Sequence, residues 1–139
     1  MQKDIILIGS SSELAKEFFK LINEIKSFKV HTISSKKESN PDLLVNEYIE
    51  NIDSISEYVN TFEKPYIIFF NGYLKENRPS YFPSVEEIFD TFKINFLIPS
   101  LITKNVAKKN KNTKFIFIST IAAIKSREKN YIYGIAKSL

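Results

Sequence analysis

Along the chain, short continuous apolar runs alternate with longer segments in which apolar residues return every three or four positions. The clearest runs occupy residues 5–8, 66–70 and 115–118. A short run of this kind, bounded by polar residues, is typical of a strand that is buried on both faces of a sheet. Residues 29–34 predict a further short strand, and residues 42–48 predict a third strand in chain order. We therefore expect about five strands.

The segments between the strands have the spacing of amphipathic helices. Apolar residues recur at helical intervals in residues 14–25 and again in residues 53–63. A longer helix is predicted over residues 84–109, because a serine opens it and a glutamate follows three residues later, the pattern of a capping box. Pro99 is expected to kink or restart this helix, since proline has no backbone N–H to donate.

Strands that alternate with helices predict a parallel sheet with right-handed crossovers, which is an α/β layered domain. The chain has 139 residues and 43% apolar residues, enough for the core of one domain, which we assign to residues 1–139. The short, polar stretch between the second and third strands predicts a helix there that is reduced or absent. Four phenylalanines of the strands are expected in the core: Phe69, Phe70, Phe115 and Phe117.

The amino-acid composition excludes several kinds of functional site. The chain has no cysteine, which excludes a disulfide scaffold, a thiolate metal site and a cysteine nucleophile. The single histidine, His31, lies within a predicted strand, where a structural role is favoured over catalysis. The formal charge of +4 comes from lysine, because Arg78 and Arg127 are the only arginines. Arginine makes most bidentate contacts with phosphate and guanine, so we predict no nucleic-acid partner.

No targeting or membrane segment is evident in the sequence. The apolar stretch at residues 5–8 is too short for the core of a signal peptide. The longest apolar runs also fall far short of the roughly 20 residues that a membrane-spanning helix needs. We therefore expect a cytoplasmic protein without a membrane span.

The predicted strands end in small and polar residues. In an open parallel sheet, ligands bind at the carboxyl ends of the strands. Gly9 allows a tight turn after the first strand, and the next helix would offer its free N–H groups to a phosphate. An ordinary turn remains the alternative for this motif. The candidate binding residues at the strand ends are Gly9, Ser10, Ser11, Ser12, Glu13, Leu14, Ser34, Ser35, Lys36, Asn71 and Gly72, with Ser119 and Thr120 after the last strand.

Tyr133 and Lys137 stand four residues apart in a helix predicted over residues 131–139. This spacing places both side chains on one helix face. An ammonium near a phenol favours the phenolate and lowers the pKa of the phenol towards neutral pH. Tyrosine then becomes a usable general acid or base, although a Tyr-x-x-x-Lys pattern alone also occurs by chance.

The order of these motifs along the whole chain resembles the short-chain dehydrogenase/reductase family. The resemblance implies a Rossmann-like, doubly wound parallel sheet in the strand order 3-2-1-4-5. It implies a catalytic group made of Asn95, Thr120 with Ser119 as the reserve, Tyr133 and Lys137, since Thr120 stands 13 residues before Tyr133. Tyr133 would donate a proton to a carbonyl, and Lys137 would also bind the cofactor. The implied function is NAD(P)-dependent reduction of a small-molecule carbonyl to an alcohol.

Some features depart from the family pattern. The usual Asn-Asn-Ala-Gly is replaced by residues 69–72, Phe-Phe-Asn-Gly, and Glu13 and Ala15 stand where glycines are usual. Members of the family run considerably longer, so we expect a chain that lacks the C-terminal strands and substrate loop. Such a chain is expected to have marginal stability and little reductase activity. A non-catalytic dinucleotide-binding module is therefore the alternative function.

The finer expectations concern cofactor, substrate and assembly. Ser34, Ser35 and Lys36 end the second strand, with no carboxylate before Glu38, which favours the 2′-phosphate of NADP, with NAD as the alternative. The opening and the segment around Tyr133 look most like the branch that includes keto-sugar reductases. The family commonly forms dimers through the long helix and the tyrosine-bearing helix, which predicts a homodimer.

Overall fold

The computed structural model describes residues 2–72, 83–119 and 136–138. Thr120 and Tyr133, two of the predicted catalytic residues, lie outside the described residues. The elements, in chain order, are β1 (Lys3–Ile8), α1 (Glu13–Ile22), β2 (Phe28–Ser34), β3 (Leu43–Leu44), α2 (Ile52–Val59), β4 (Tyr66–Phe69), α3 (Val85–Phe92), α4 (Ile98–Lys109) and β5 (Lys114–Phe117). Single turns of 3₁₀-helix occupy Lys37–Ser39 and Ile49–Asn51, and a π-helical turn occupies Lys93–Leu97.

The five strands form one parallel sheet in the order β3-β2-β1-β4-β5. This confirms the predicted Rossmann-like α/β fold and the strand order 3-2-1-4-5. β1 lies at the centre and pairs with both β2 and β4. Its residues Ile6, Leu7 and Ile8 are fully buried, because helices cover both faces of a central parallel strand.

The chain divides into two compact units. The first, called the sheet unit here, comprises Met1–Phe70 and Leu101–Phe117 and contains all five strands. The second unit comprises Asn71–Ser100 and Ile118–Leu139. The assignment of residues 1–139 to one domain stays a prediction. The apolar core of the sheet unit includes Ile33 of β2, Ile55 and Val59 of α2, Ile67 of β4, and Ile102 and Val106 of α4.

The connection between β2 and β3 is short, as predicted, and holds only the 3₁₀ turn at Lys37–Ser39. β3 has two residues instead of the predicted seven over residues 42–48. The strand ends early, at Leu44, and it starts at Leu43 because the preceding Asp42 carboxylate accepts hydrogen bonds from the backbone N–H of Thr32 at 2.8 Å and from its hydroxyl at 3.1 Å. A side chain thus replaces a backbone acceptor beside β2.

The long helix predicted over residues 84–109 is interrupted. Ser84 opens α3 with a complete capping box, because its hydroxyl accepts from the N–H of Glu87 and the Glu87 carboxylate accepts from the N–H of Ser84. A π-helical turn then precedes α4. Pro99 lacks the N–H that would reach the carbonyl of Asn95 in an α-helix, and the wider turn accommodates this loss.

The prediction that four phenylalanines lie in the core is only partly right. Phe69 and Phe70 are buried, but Phe115 is half-buried and Phe117 is 55% exposed. Phe117 lies on β5, which pairs only with β4 among the described residues, so its ring has a neighbour on one side. That neighbour is Phe69, whose ring stacks on Phe117 at 5.1 Å between centroids.

Candidate cofactor and catalytic site

Gly9 makes the turn that leads from β1 into α1. Its φ of 79° lies in the left-handed region, where a Cβ atom would clash with the following carbonyl. The backbone N–H groups of Gly9 and Ser10 both donate to the carbonyl of Ile33, at 2.9 and 3.1 Å. The Ser10 hydroxyl reaches the same carbonyl at 3.3 Å. These hydrogen bonds therefore hold the turn against the end of β2, where Ser34, Ser35 and Lys36 are the predicted binding residues.

The start of α1 has donors that no described residue satisfies. Ser12 is the N-cap, and its hydroxyl accepts from the N–H of Ala15 at 3.2 Å. The N–H groups of Glu13 and Leu14 have no acceptor within the described part of the chain. Free N–H groups and the positive end of the helix dipole attract an anion. This turn therefore fits a phosphate of a dinucleotide.

Glu13 stands where the resemblance would place a glycine, and its charge has a local counter-ion. The carboxylate lies 3.5 Å from the ammonium of Lys16, one turn further along α1, and its side chain is 91% exposed. An exposed ion pair of this kind is strongly solvated and weak. The carboxylate therefore points along the helix towards Lys16, and the N–H groups of the first turn stay accessible to a ligand.

The end of β2 combines a buried hydroxyl with an exposed ammonium. Ser34 is fully buried, and its hydroxyl accepts from the N–H of Lys36 at 3.0 Å, which fixes the turn. Ser35 and Lys36 are exposed. Lys36 has no carboxylate partner among residues 2–72, 83–119 and 136–138. Its ammonium is thus available to an anionic ligand, whereas the Ser34 hydroxyl serves the turn.

In the second unit, Lys137 contacts the chain just beyond two neighbouring strands. Its ammonium donates to the carbonyl of Asn71 at 3.4 Å and to the carbonyl of Ile118 at 3.3 Å. Asn71 follows β4 by two residues, and Ile118 directly follows β5. Burial disfavours the charged form and lowers the pKa of Lys137 below the usual value of lysine. The structure therefore brings together two of the predicted site residues, Lys137 and Asn71.

Asn71 carries an unsatisfied acceptor. The residue is buried, and its side-chain Oδ1 is shielded from solvent without a hydrogen bond from any described residue. A buried polar atom without a partner costs about 1–3 kcal/mol, so the atom favours a ligand that brings a donor. Hydroxyl groups of a ribose are donors of this kind. Gly72, the next residue, is exposed.

Asn95 lies in the π-helical turn of the second unit. It is buried, and its side-chain Nδ2 donates to the carbonyl of Thr91 at 2.8 Å. Turns of this kind occur frequently at functional sites, because they offset one residue from the helix ladder. Ser119, the reserve candidate, is exposed in the same unit. The catalytic group as a whole stays a prediction, because Thr120 and Tyr133 lie outside the described residues.

Sequence reasoning missed the contacts that backbone carbonyls make. The carbonyl of Ile33 accepts hydrogen bonds from the Gly9 turn, and the carbonyl of Ile118 accepts one from the ammonium of Lys137. A carbonyl belongs to every residue, so no pattern of side chains distinguishes these two positions. The strand order was the only available signal, since it places the carboxyl ends of neighbouring strands side by side.

Two further findings concern metal-binding groups and membrane-spanning helices. Within the described ranges, no group of three or more His, Cys, Asp and Glu side chains could hold a metal ion. No helix in the described part of the chain is long and apolar enough to cross a membrane.

No family model matches the sequence, and no curated protein matches it. Solved structures do match the fold. A short chain dehydrogenase family protein from Francisella tularensis subsp. tularensis SCHU S4 has a TM-score of 0.79 at 15% identity, over 99% of this chain and 59% of that chain. The short chain dehydrogenase from Shigella flexneri has a TM-score of 0.84 at 13% identity, over 98% of this chain and 62% of the other.

A small-chain dehydrogenase in complex with NADPH has a TM-score of 0.75 at 18% identity, over 99% of this chain and 60% of that one. The chain therefore spans about 60% of the length of these three structures. Identities this low establish similarity of fold alone. The sheet order, the Gly9 turn and these matches together show that the chain has the Rossmann-like fold of the short-chain dehydrogenases.

Proposed function

We propose that the chain is the NAD(P)-binding part of a short-chain dehydrogenase/reductase that reduces a small-molecule carbonyl to an alcohol. One observation carries the proposal. The ammonium of Lys137, four residues after Tyr133, contacts the carbonyls of Asn71 and Ile118, just beyond two adjacent parallel strands. Ligands of open parallel sheets bind at the carboxyl ends of strands. A lysine in this position matches the lysine that the family resemblance requires.

The sheet unit would bind the dinucleotide. The N–H groups of Glu13 and Leu14 at the start of α1 would receive a phosphate, and the left-handed turn at Gly9 would let the ligand approach the backbone closely. Considered by itself, the second unit also offers an acceptor, because the shielded Oδ1 of Asn71 would accept a hydrogen bond from a ligand hydroxyl group. Each of these groups lacks a partner among the described residues, which supports the fit.

NADP is the favoured dinucleotide. Lys36 presents an exposed ammonium after β2, without a carboxylate partner within the described ranges. An ammonium is a compact charge that suits the 2′-phosphate of NADP, whereas NAD binding commonly uses a carboxylate at this position. The solved neighbour that contains NADPH is consistent with this choice.

The reaction would divide between the cofactor and the protein. The bound dinucleotide supplies the hydride, and the protein supplies position and protons. Tyr133 would donate a proton to the carbonyl oxygen, and the Lys137 ammonium would lower the pKa of the Tyr133 phenol. Thr120, or Ser119 in its place, would hydrogen-bond the substrate oxygen. Asn95 would hold a water molecule in the proton relay.

The identity of the substrate is proposed from the family resemblance alone. A keto-sugar is the predicted substrate, because the opening motif and the segment around Tyr133 resemble that branch of the family.

Self-association through the long helix is a further part of the proposal. On α3, Val85 is 69% exposed and Phe89, one turn later, is 70% exposed. Phe96 and Leu97 of the π-helical turn are 37% and 40% exposed. Large apolar side chains at helical spacing on one surface are typical of an interface. Sedimentation of the Phe89→Glu variant beside the Asp90→Ala variant tests this, with dissociation expected only for Phe89→Glu.

The test of the function compares the protein expressed from its natural gene with its Tyr133→Phe variant. We expect the first to oxidise NADPH with a panel of ketoses and simple ketones, and the variant to bind NADPH without turnover. NADPH binding without turnover by both would favour the alternative, a non-catalytic dinucleotide-binding module. Absence of NADPH binding by both would refute the proposal and the alternative together.

A further inference from the structure

At the amino ends of the strands, the sheet unit contains a groove of about 620 Å³. We call it the amino-end groove, and it is lined by Lys3, Asp4, Glu63, Lys64, Tyr66, Lys111, Asn112, Thr113, Lys114 and Gln2. The Gly9 turn follows the other end of β1, and six residues of strand, about 20 Å, separate the two. The groove is therefore distinct from the proposed dinucleotide site.

The amino-end groove is positively charged. It contains four lysines and two carboxylates, and none of the four ammonium groups forms an ion pair with a described residue. Of the carboxylates, Asp4 faces His31, whose Nε2 lies 3.0 Å from its Oδ1. Because four lysines face two carboxylates, the groove has a net positive charge. Lysines without counter-ions around one concave surface raise the local concentration of anions.

Tyr66 lies close to two of these lysines. In the sheet, Tyr66 pairs with Lys114 of β5, so both side chains lie on the same face. The Lys114 ammonium donates to the phenol oxygen at 3.3 Å and lies 5.1 Å from the ring centre, and the Lys3 ammonium lies 6.0 Å from it. The hydrogen bond from Lys114 lowers the pKa of the Tyr66 phenol, and the charges of Lys114 and Lys3 lower it further.

The walls of the groove are fixed by hydrogen bonds between two turns. The Nδ2 of Asn110 donates to the carbonyl of Phe62 at 3.0 Å and to that of Glu63 at 3.3 Å. The backbone N–H of Lys114 donates to the carbonyl of Pro65 at 3.0 Å. These bonds join the turn before β5 to the turn before β4, so the backbone of both turns is positioned before a ligand arrives. Such preorganisation lowers the entropic cost of binding.

We propose that the amino-end groove binds a soluble ligand that carries three or more linked phosphate groups, one more than the diphosphate of a dinucleotide. Several lysines with fixed backbones suit several linked negative charges, because each ammonium acts as a point charge and needs no planar partner. A single phosphate would engage only part of this set. The Tyr66 phenol, between two ammonium groups, adds a hydrogen-bond donor to a phosphate oxygen.

Inorganic tripolyphosphate is the probe, titrated into the 139-residue chain at low salt and followed by calorimetry. We expect binding that weakens as salt is added, because exposed charges are screened. Orthophosphate should bind at least about tenfold more weakly, since it lacks the linked charges. Equal affinity for the two anions would overturn the proposal.

The variants separate the groove from general attraction to lysines. Lys64→Ala/Lys111→Ala should weaken tripolyphosphate binding by about tenfold or more. Lys104→Ala/Lys108→Ala also removes two positive charges, but both lie outside the groove, so this variant should leave tripolyphosphate binding unchanged. Equal losses in both pairs would contradict a specific site.

Two further measurements identify the place of binding. Tripolyphosphate should raise the pKa of the Tyr66 phenol, as seen in the alkaline phenolate absorbance that Tyr66→Phe removes. Saturating NADPH should leave tripolyphosphate binding unchanged, and displacement by NADPH would overturn the proposal. This test of the groove is independent of the proposed reductase activity, because tripolyphosphate binding is measured without turnover.

Discussion

The ammonium of Lys137 lies 3.3 Å from the carbonyl oxygen of Ile118, the residue that directly follows β5. A second carbonyl, that of Asn71, lies 3.4 Å from the same ammonium. Both acceptors are backbone atoms whose position depends on where strands end and not on the identity of their side chains. The ammonium is therefore positioned by the fold itself.

Replacement of Lys137 by methionine tests the role of this ammonium. Lys137→Met keeps most of the apolar stem and removes the charge, so two carbonyls lose their donor. We expect the affinity for NADPH to fall by about tenfold, the loss typical of one charge-assisted hydrogen bond. Fluorescence titration with NADPH measures the change. Lys109→Met, at the exposed end of α4, is the matched control, and equal affinity in all three proteins would contradict the role.

The lowered pKa of Lys137 predicts a pH dependence of stability. Burial places the folded-state pKa below that of the unfolded chain. Between the two values, the unfolded chain binds more protons, so the free energy of unfolding due to this group rises with pH. Below the folded-state pKa, the group lowers stability by a constant amount.

Urea unfolding measured across the alkaline range, up to the usual pKa of lysine, checks this sign. The difference in unfolding free energy between the natural chain and Lys137→Met should change in favour of the natural chain as pH rises. A difference that is flat across this range, or that changes in the opposite direction, would show that burial does not lower this pKa.

Gly9 is expected to tolerate no side chain. Its φ of 79° puts an added Cβ close to the following carbonyl, so Gly9→Ala should lower the unfolding free energy by about 1–2 kcal/mol. Gly72→Ala is the control, because Gly9 is the only glycine with positive φ in the described part of the chain. Urea denaturation compares the two variants, and equal stability would contradict the strained turn.

The capping box at Ser84 and the short β2–β3 connection could be predicted from local patterning. The strand order could be predicted because the order of the motifs resembles the short-chain dehydrogenase/reductase family. The length of β3 was predicted wrongly. Asp42 accepts the hydrogen bonds of Thr32 in the place of a strand neighbour, and this contact spans ten residues. No local pattern contains such a contact.

The interruption of the long helix and the lysine cluster illustrate the same limit. Pro99 predicted an interruption of the helix. That the interruption takes the form of a π-helical turn before Pro99 depends on how the surrounding residues pack. Lys3, Lys64 and Lys114 are far apart in sequence and meet in the amino-end groove through the register of β1, β4 and β5. Tertiary structure alone could assemble them.

Lys36 should determine the choice between the two dinucleotides. Lys36→Glu replaces an ammonium that suits a 2′-phosphate by a carboxylate that repels it and accepts from ribose hydroxyls. We expect the NADPH affinity to fall by about tenfold or more, with NADH affinity unchanged or higher. Lys29→Glu, an exposed lysine of β2, controls for net charge. Parallel titrations of both variants with NADPH and NADH measure the ratio, and an unchanged ratio in Lys36→Glu would refute the assignment.

This fold should bind a nicotinamide dinucleotide at the Gly9 turn, and calorimetric titration of the 139-residue chain with NADPH measures that binding without other components. We predict saturable binding of one NADPH per chain. We also predict that Gly9→Val abolishes it, because Gly9 combines a positive φ with a position next to the free N–H groups of α1. Ala107→Val, at an exposed position of α4, should leave it unchanged. Binding of equal affinity in Gly9→Val and the natural chain, or no binding to the natural chain at millimolar NADPH, would contradict the account.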